Sequence, residues 1–567
     1  MKKIVTTLII LATVWTSVVA LPAWRKAKTY QQPDGTSVQL FLRGDESLHY
    51  LALPTGEPVV RDAHGYYCYA QVADGQLKAT SLRVGTTDKA SLRKAARLNN
   101  GREALAALRA QRCRQRSAKA TAFTGKRRGL VILAEYTDLP FTYSKATFDS
   151  IMNFTGYKKG YFQGSVHDYF LEASNKQFDL SFDVVGPVHL SHNMAYYGEN
   201  NQMGDLHVGG LVAEACQLAA DSVNLADYDW DGDGTVDQVV VIYAGWGEAM
   251  GAPEETIWPQ EWTLTKSDFG RPLQLNGMKI ARFAVTCELY GNEKAYDGER
   301  WITGIGPMCH EFGHCLGLPD FYDTLDSDHF CMEDWDIMDA GCYNLGTYCP
   351  AGFTGYEKWF CGWQEPIELT APANVTRMGA LSEGGDFYVV YNDQYSKKRN
   401  EYYILENRQW KGFDSWLYGR GLLITHVNYK ESDWNNNSVN NTAGKEGMAI
   451  IPANNLYTYK DSAEAGNTYP YLDNDSLTNT STPAAKVYNV NKHFRNVMDK
   501  PITHIAIDEN RLASFDFMGG STNAIREVLT AKPTEVYDLS GRRTTEQARG
   551  IVIERQGSNV RKIFKRP

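Results

Sequence analysis

Cysteine is scarce: ten residues in a chain of 567, far below the density at which small exported domains are held by disulfides alone. A basic excess is also missing. Lysine and arginine number 58 against 67 acidic residues, a net charge of −9, which excludes a nucleic-acid binder working through a cationic surface. After residue 20 no stretch approaches the length of uncharged apolar sequence that a membrane span needs, so none is expected in the mature chain. Aromatic residues, by contrast, are plentiful. The 33 tyrosines and 13 tryptophans supply the large apolar surfaces that disordered chains lack.

The first residues set the expected compartment. Lys2 and Lys3 precede an uncharged run from Ile4 to Ala20, and Val18-Val19-Ala20 offers small residues for cleavage. This reads as a signal peptide over residues 1–20 of a secreted, extracellular or cell-surface protein. Residues 21–92 carry closely spaced turns such as Pro33-Asp34-Gly35 and Pro54-Thr55-Gly56, predicting a small β-rich domain. Residues 93–128 hold twelve basic residues and one acid, Glu103. We read 93–126 as a basic helical linker and processing region, because exposed basic segments are easily nicked. Between 127 and 363 strand and helix signals alternate. Gly129–Glu135 and Val239–Ala244 read as buried strands, Ser165 as a helix N-cap, and Val208 to Ala220 as a helix with Val208, Leu211, Val212, Ala215 and Leu218 on one face. That order predicts an α/β domain. Residues 364–520 turn to β signals and suggest a β-sandwich-like domain; 521–567 close the chain as a small basic tail.

The chemistry concentrates at His310-Glu311-Phe312-Gly313-His314, an H-E-x-x-H motif. Residues four apart on a helix share a face, so His310 and His314 can bind one metal ion, with Glu311 near a water on it. Gly317 suits the end of the helix, and Asp320 in the following turn can offer a third ligand. Asp323, three residues on, competes for that role. Two imidazoles and a carboxylate suit Zn²⁺ with one position left open. Glu311 then reads as the general base of peptide hydrolysis, and the partners expected are protein or peptide substrates.

The run His310–Asp323, followed by Trp335-Asp-Ile-Met338-Asp339, resembles the immune inhibitor A family of secreted metallopeptidases, which is related to the metzincins. The resemblance implies Asp320 at the third-ligand position and Met338 as a Met-turn, an apolar floor under the metal. It covers most of residues 127–520, including Ile257-Trp258-Pro259 and Glu401–Arg408, and the N-terminal zone resembles the family's propeptide. It implies a metzincin-like zinc peptidase domain, a twisted sheet plus active-site helix, made as a zymogen. Val536–Arg543 and Gly550–Glu554 resemble, in abbreviated form, the C-terminal sorting domains of type IX secretion substrates.

A second metal site is expected where Asp229, Asp231, Asp233 and Asp237 crowd one loop. Hard oxygens at this spacing suit Ca²⁺, with Gly234 turning the chain and Thr235 offering its carbonyl. The loop departs from an EF-hand, because position twelve is Val240 and a strand follows. Tyr343, after the Met-turn, could donate to a developing oxyanion. Cys113 could occupy the metal in a latent form, and the cysteines between 309 and 361 could pair after export. The expected molecule is thus a monomeric α/β zinc endopeptidase with structural calcium, a β-rich prodomain and a β-sandwich-like domain. The competing expectation is an adhesin or glycan-binding protein on an inactive peptidase scaffold.

Overall fold

The computed structural model describes residues 23, 27–85, 89–111, 123–201, 204–292, 298–326, 329–458 and 461–520, with backbone strands between 535 and 565. The expected signal peptide, Cys113 and the rest of 112–122 lie outside the described residues.

The central sheet has five strands in the order Gln260–Thr263, Arg282–Leu289, Val239–Trp246, Gly125–Glu135 and Phe178–His189. The last four run parallel, and Gln260–Thr263 is antiparallel at the edge. All eight residues of Val239–Trp246 are buried, as a parallel strand covered on both faces requires. Helix Val166–Ala173 starts with a capping box, Ser165 accepting from the Asp168 amide and Asp168 reaching back to Ser165. Helix Val208–Ala219 buries Val208, Leu211, Val212, Ala215 and Ala219. Leu218, expected on that face, is 49% exposed. At 100° per residue it falls about 80° from the stripe centred on Val208, whereas Ala219 falls near its middle.

Before this domain lies a six-stranded antiparallel meander between Lys28 and Arg83. Helix Arg102–Ala110 follows it and buries Leu105, Leu108 and Arg109. Its leucines pack with Leu48 and Tyr50 of the meander and with Leu325 of the central domain. The helical part of the expected linker is therefore docked, because its apolar stripe has a partner on each side.

After the central domain, strands Ile367–Glu368, Tyr388–Tyr391, Glu401–Arg408, Gly421–Asn428 and Met448–Ile450 form one sheet, and Ala373–Met378, Ala513–Phe517 and Ile502–Ile507 another. Alternate residues of the five-stranded sheet face opposite ways, the period-two rule of a strand. Tyr403, Leu405, Leu422 and Ile424 share a core with Val375 and Phe515 of the smaller sheet. Tyr402, Ile404, Leu423 and Val427 join the core of the central domain. This sheet is thus the wall between the two cores. In the tail, Arg543–Thr544, Glu535–Tyr537, Gly550–Gln556 and Asn559–Lys565 form a four-stranded antiparallel sheet. None of the nine described cysteines forms a disulfide, and eight of them are buried. Among the described residues no helix is long and apolar enough to cross a membrane.

Candidate metal centre

The H-E-x-x-H segment lies on helix Gly306–Cys315, with Pro307 in its first turn and residues 306–314 all buried. Two glycines let it sit so deep. A Cβ at Gly306 would lie 1.7 Å from the Cys342 carbonyl oxygen, and one at Gly313 would lie 2.5 Å from the Met338 sulfur. Met338 is fully buried and packs against the helix between the two histidines in sequence. The helix stops at Gly317, whose φ of +100° suits glycine; the Gly317 amide bonds the His314 carbonyl and the Leu318 amide bonds that of Gly313.

Past this stop the chain folds back and brings Asp320 over the histidines. Asp320 Oδ1 lies 3.1 Å from His310 Nε2 and 3.2 Å from His314 Nε2. The other ring nitrogens face backbone carbonyls, His310 Nδ1 at 2.7 Å from Ile337 O and His314 Nδ1 at 2.9 Å from Leu318 O. A carbonyl only accepts, so each Nδ1 donates, and each neutral ring then turns a lone pair at Nε2 towards the same carboxylate oxygen. Three electron-rich atoms converging in a buried site call for a cation. Two atoms each about 2.05 Å from a tetrahedral ion lie about 3.3 Å apart, close to the separations here, so the donor set fits zinc. Asp320 is fully buried, and its Oδ1 accepts no hydrogen bond. Burial alone would raise its carboxyl; positive charge on the His314 and His310 rings, or on an ion between them when both rings are neutral, outweighs burial and holds it well below the usual range.

Asp323 is turned elsewhere. Its Oδ1 accepts from Arg102 Nη2 at 2.6 Å and from the Leu325 amide at 3.2 Å. Burial, followed by the hydrogen bond and charge of Asp326, pushes its carboxyl up to about 8 against the pull of Arg102. Glu311 is buried on the helix beside His310. Tyr343 is buried too; desolvation holds its phenol well above the ordinary range, with the Glu311 carboxylate among the charges acting the same way.

Two acids beside this centre carried no signal of a role there in the sequence. Asp45 and Glu46, at the turn between two meander strands, each bring an oxygen within 4.8 Å of one another and of an Asp320 oxygen. Gly44 makes that turn possible: its φ is +96°, and a Cβ there would lie 1.9 Å from the Leu48 carbonyl oxygen. The Asp45 carboxylate accepts from the Ser47 and Leu48 amides at 3.0 and 3.1 Å and is paired with the buried Arg109. Burial raises its carboxyl and Arg109 opposes that rise. The Gly44-Asp45 pair marks a turn in the sequence, but nothing local says where the turn is docked.

In the acidic loop, Asp229, Asp231 and Asp237 each place an oxygen within 4.8 Å of the others. Asp229 also accepts from the Gly232 and Gly234 amides at 2.8 and 2.9 Å, and Asp237 from the Trp230 amide at 2.5 Å. Asp233 stands outside this trio, its Oδ1 accepting from the Thr235 amide at 2.7 Å. Burial lifts the Asp237 carboxyl to about 6, and the charges of Asp231, Asp229 and Asp233 push the same way.

Comparison with known proteins agrees with the metal motif. Residues 129–365 match the immune inhibitor A peptidase M6 catalytic domain. A pre-pro-metalloprotease, PrtV of Vibrio cholerae, is 28% identical over 274 residues, covering 41% of this chain and 29% of that protein. Immune inhibitor A of Bacillus thuringiensis is 28% identical over 222 residues, covering 34% of this chain and 31% of that protein. The aligned stretch thus spans less than a third of each curated relative.

Proposed function

We propose that this chain is a secreted zinc endopeptidase, made in a latent form and hydrolysing peptide bonds of extracellular proteins. The observation that carries the reading is the convergence of His310 Nε2 and His314 Nε2 on Asp320 Oδ1, with both Nδ1 atoms donating to carbonyls. The match of the surrounding domain to the peptidase M6 catalytic domain supports it, as do the metalloprotease names of its relatives. His310, His314 and Asp320 would hold the ion, and Met338 would floor it.

Zinc held there would lower the pKa of a water towards neutrality and polarise a peptide carbonyl. Glu311, one residue from His310 in a buried helix, takes the proton from the attacking water and later gives it to the leaving amine. Tyr343 would donate to the oxyanion that develops on the carbonyl. The buried setting keeps both side chains in one orientation and lowers the local dielectric, which strengthens these interactions. A binding module on an inactive scaffold is not favoured, because such a module has no use for Glu311 beside an intact ligand set.

The N-terminal turn supports the latent form. Asp45 and Glu46 each bring an oxygen within 4.8 Å of an Asp320 oxygen, and Arg109 together with the Ser47 and Leu48 amides holds Asp45 there, so the turn would crowd the ion's open side. The meander and helix Arg102–Ala110 thus serve as a prodomain that must leave before substrate binds. The Asp229–Asp237 loop would take calcium through Asp229, Asp231 and Asp237, with Asp233 and Thr235 completing the turn; calcium relieves the mutual repulsion of these acids. Metal analysis and casein digestion of the processed protein, with and without chelator, test the proposal. One equivalent of zinc and chelator-sensitive digestion are expected; digestion that survives removal of all metal would overturn it.

A further inference from the structure

The acid proposed as the third ligand is not held by the domain that carries it. Asp320 is gripped by Asn437, 117 residues further along the chain and beyond the residues that match the catalytic-domain family. Asn437 Oδ1 accepts from the Asp320 amide at 2.7 Å, and Asn437 Nδ2 donates to Asp320 Oδ2 at 2.5 Å. One amide side chain therefore occupies both the backbone and one carboxylate oxygen of the same residue, which leaves Oδ1 turned to the two imidazoles. Asn437 is 1% exposed and has a φ of +52°, a conformation asparagine tolerates better than most residues.

The neighbouring asparagines fix the same turn. Asn440 Nδ2 donates to the Phe321 and Met448 carbonyls, both at 2.7 Å, and Asn440 Oδ1 accepts from the Met448 amide at 2.9 Å. Asn441 Oδ1 accepts from the Thr324 amide and hydroxyl, both at 3.0 Å. The single Thr324 hydroxyl proton is shared between Asn441 Oδ1 and the Asn437 carbonyl, the latter at 3.1 Å. Residues 320, 321 and 324 are thus laced to a loop that begins after helix Glu431–Asn435 of the second domain.

We infer that Asn437 is a positioning residue of the metal centre, and that the loop 436–441 of the β domain completes a site whose ligands all lie in the catalytic domain. The inference rests on the zinc reading above. Each partner matters in kind: an aspartate at 437 keeps the acceptor for the Asp320 amide but sets a second carboxylate against Asp320 Oδ2. A glycine removes the whole amide while keeping the left-handed backbone open to it, so it separates the loss of the side chain from backbone strain.

The test uses the full chain, with zinc affinity measured by competition against a chromogenic chelator and with the visible spectrum of the cobalt-substituted protein. Groups that orient ligands typically contribute 10–100-fold to metal affinity. Asn437→Gly and Asn437→Asp are each expected to lose zinc affinity about 10–100-fold and to shift the cobalt spectrum, with far-ultraviolet circular dichroism like that of the wild type. A purely structural role would lower the melting temperature of the metal-free chain and leave both metal readouts unchanged. If the wild type takes up no zinc, the zinc reading fails. If the wild type binds zinc and either folded variant matches its affinity within a factor of about two and keeps its cobalt spectrum, the positioning role is overturned.

Discussion

The metal centre and the acidic loop both gather carboxylates, and they manage them differently. At the centre Asp320 is fully buried and set against two imidazoles of one helix and an amide from the domain that follows. In the loop the acids come from nine consecutive residues, lie partly in solvent, and meet mostly backbone amides. The outcome shows in the carboxyls. Positive charge on the His314 and His310 rings would hold Asp320 well below its ordinary range despite burial, while burial and neighbouring acids lift Asp237 to about 6. On the function proposed above, a cation would stabilise either arrangement, but only the first has Glu311 beside it to act as a base, so the first would be the site of chemistry and the second a structural tie.

The contrast can be broken most forcefully at the base. Glu311→Ala should keep bound zinc, read by metal analysis, while casein cleavage falls about 10²–10⁴-fold, the range of general-base contributions. Removing an acid from the loop, as in Asp229→Ala, should leave the specific activity of folded protein near that of the wild type at moderate temperature. Next in size is the latch. Asp45→Ala in the unprocessed chain should release measurable proteolysis, and a fully silent unprocessed variant would separate Asp45 from latency.

Asp320 and Asp323 show what the sequence could and could not tell. Both are acids in the turn after the helix, and spacing alone leaves either able to reach the ion. What separates them is remote: Asn437 takes one oxygen of Asp320, and Arg102 takes Asp323. The helix, its stop at Gly317 and the pairing of His310 with His314 were legible because they depend on residues within a few turns of one another. The docking of Asp45 and the role of the asparagine loop were not, because a polar turn reads the same whether it meets solvent or a metal site. Leu218 was misjudged at shorter range, by an angular offset that counting apolar residues does not register.

Smaller effects sharpen the loop half of the contrast. At calcium a hundredfold above its dissociation constant, binding to the folded chain alone adds about 2.7 kcal/mol of stability, read as a rise in melting temperature that Asp231→Ala abolishes. The smallest effect is in pH. Asp237 holds its proton more tightly folded than unfolded, so the folded chain binds more protons between about 4 and 6. Without calcium its contribution therefore favours the folded state at the acid end and fades as pH rises through that window. Stability of the wild type minus that of Asp237→Asn should fall with rising pH there, and calcium should flatten the slope.

X-ray absorption at the zinc edge of the purified full-length protein probes the central claim most directly. The account predicts one zinc per chain in a shell of nitrogen and oxygen, with the scattering of two imidazoles in the wild type and of one in His314→Ala. Absence of zinc, or a shell containing sulfur from the nearby Cys309 or Cys315, would contradict it.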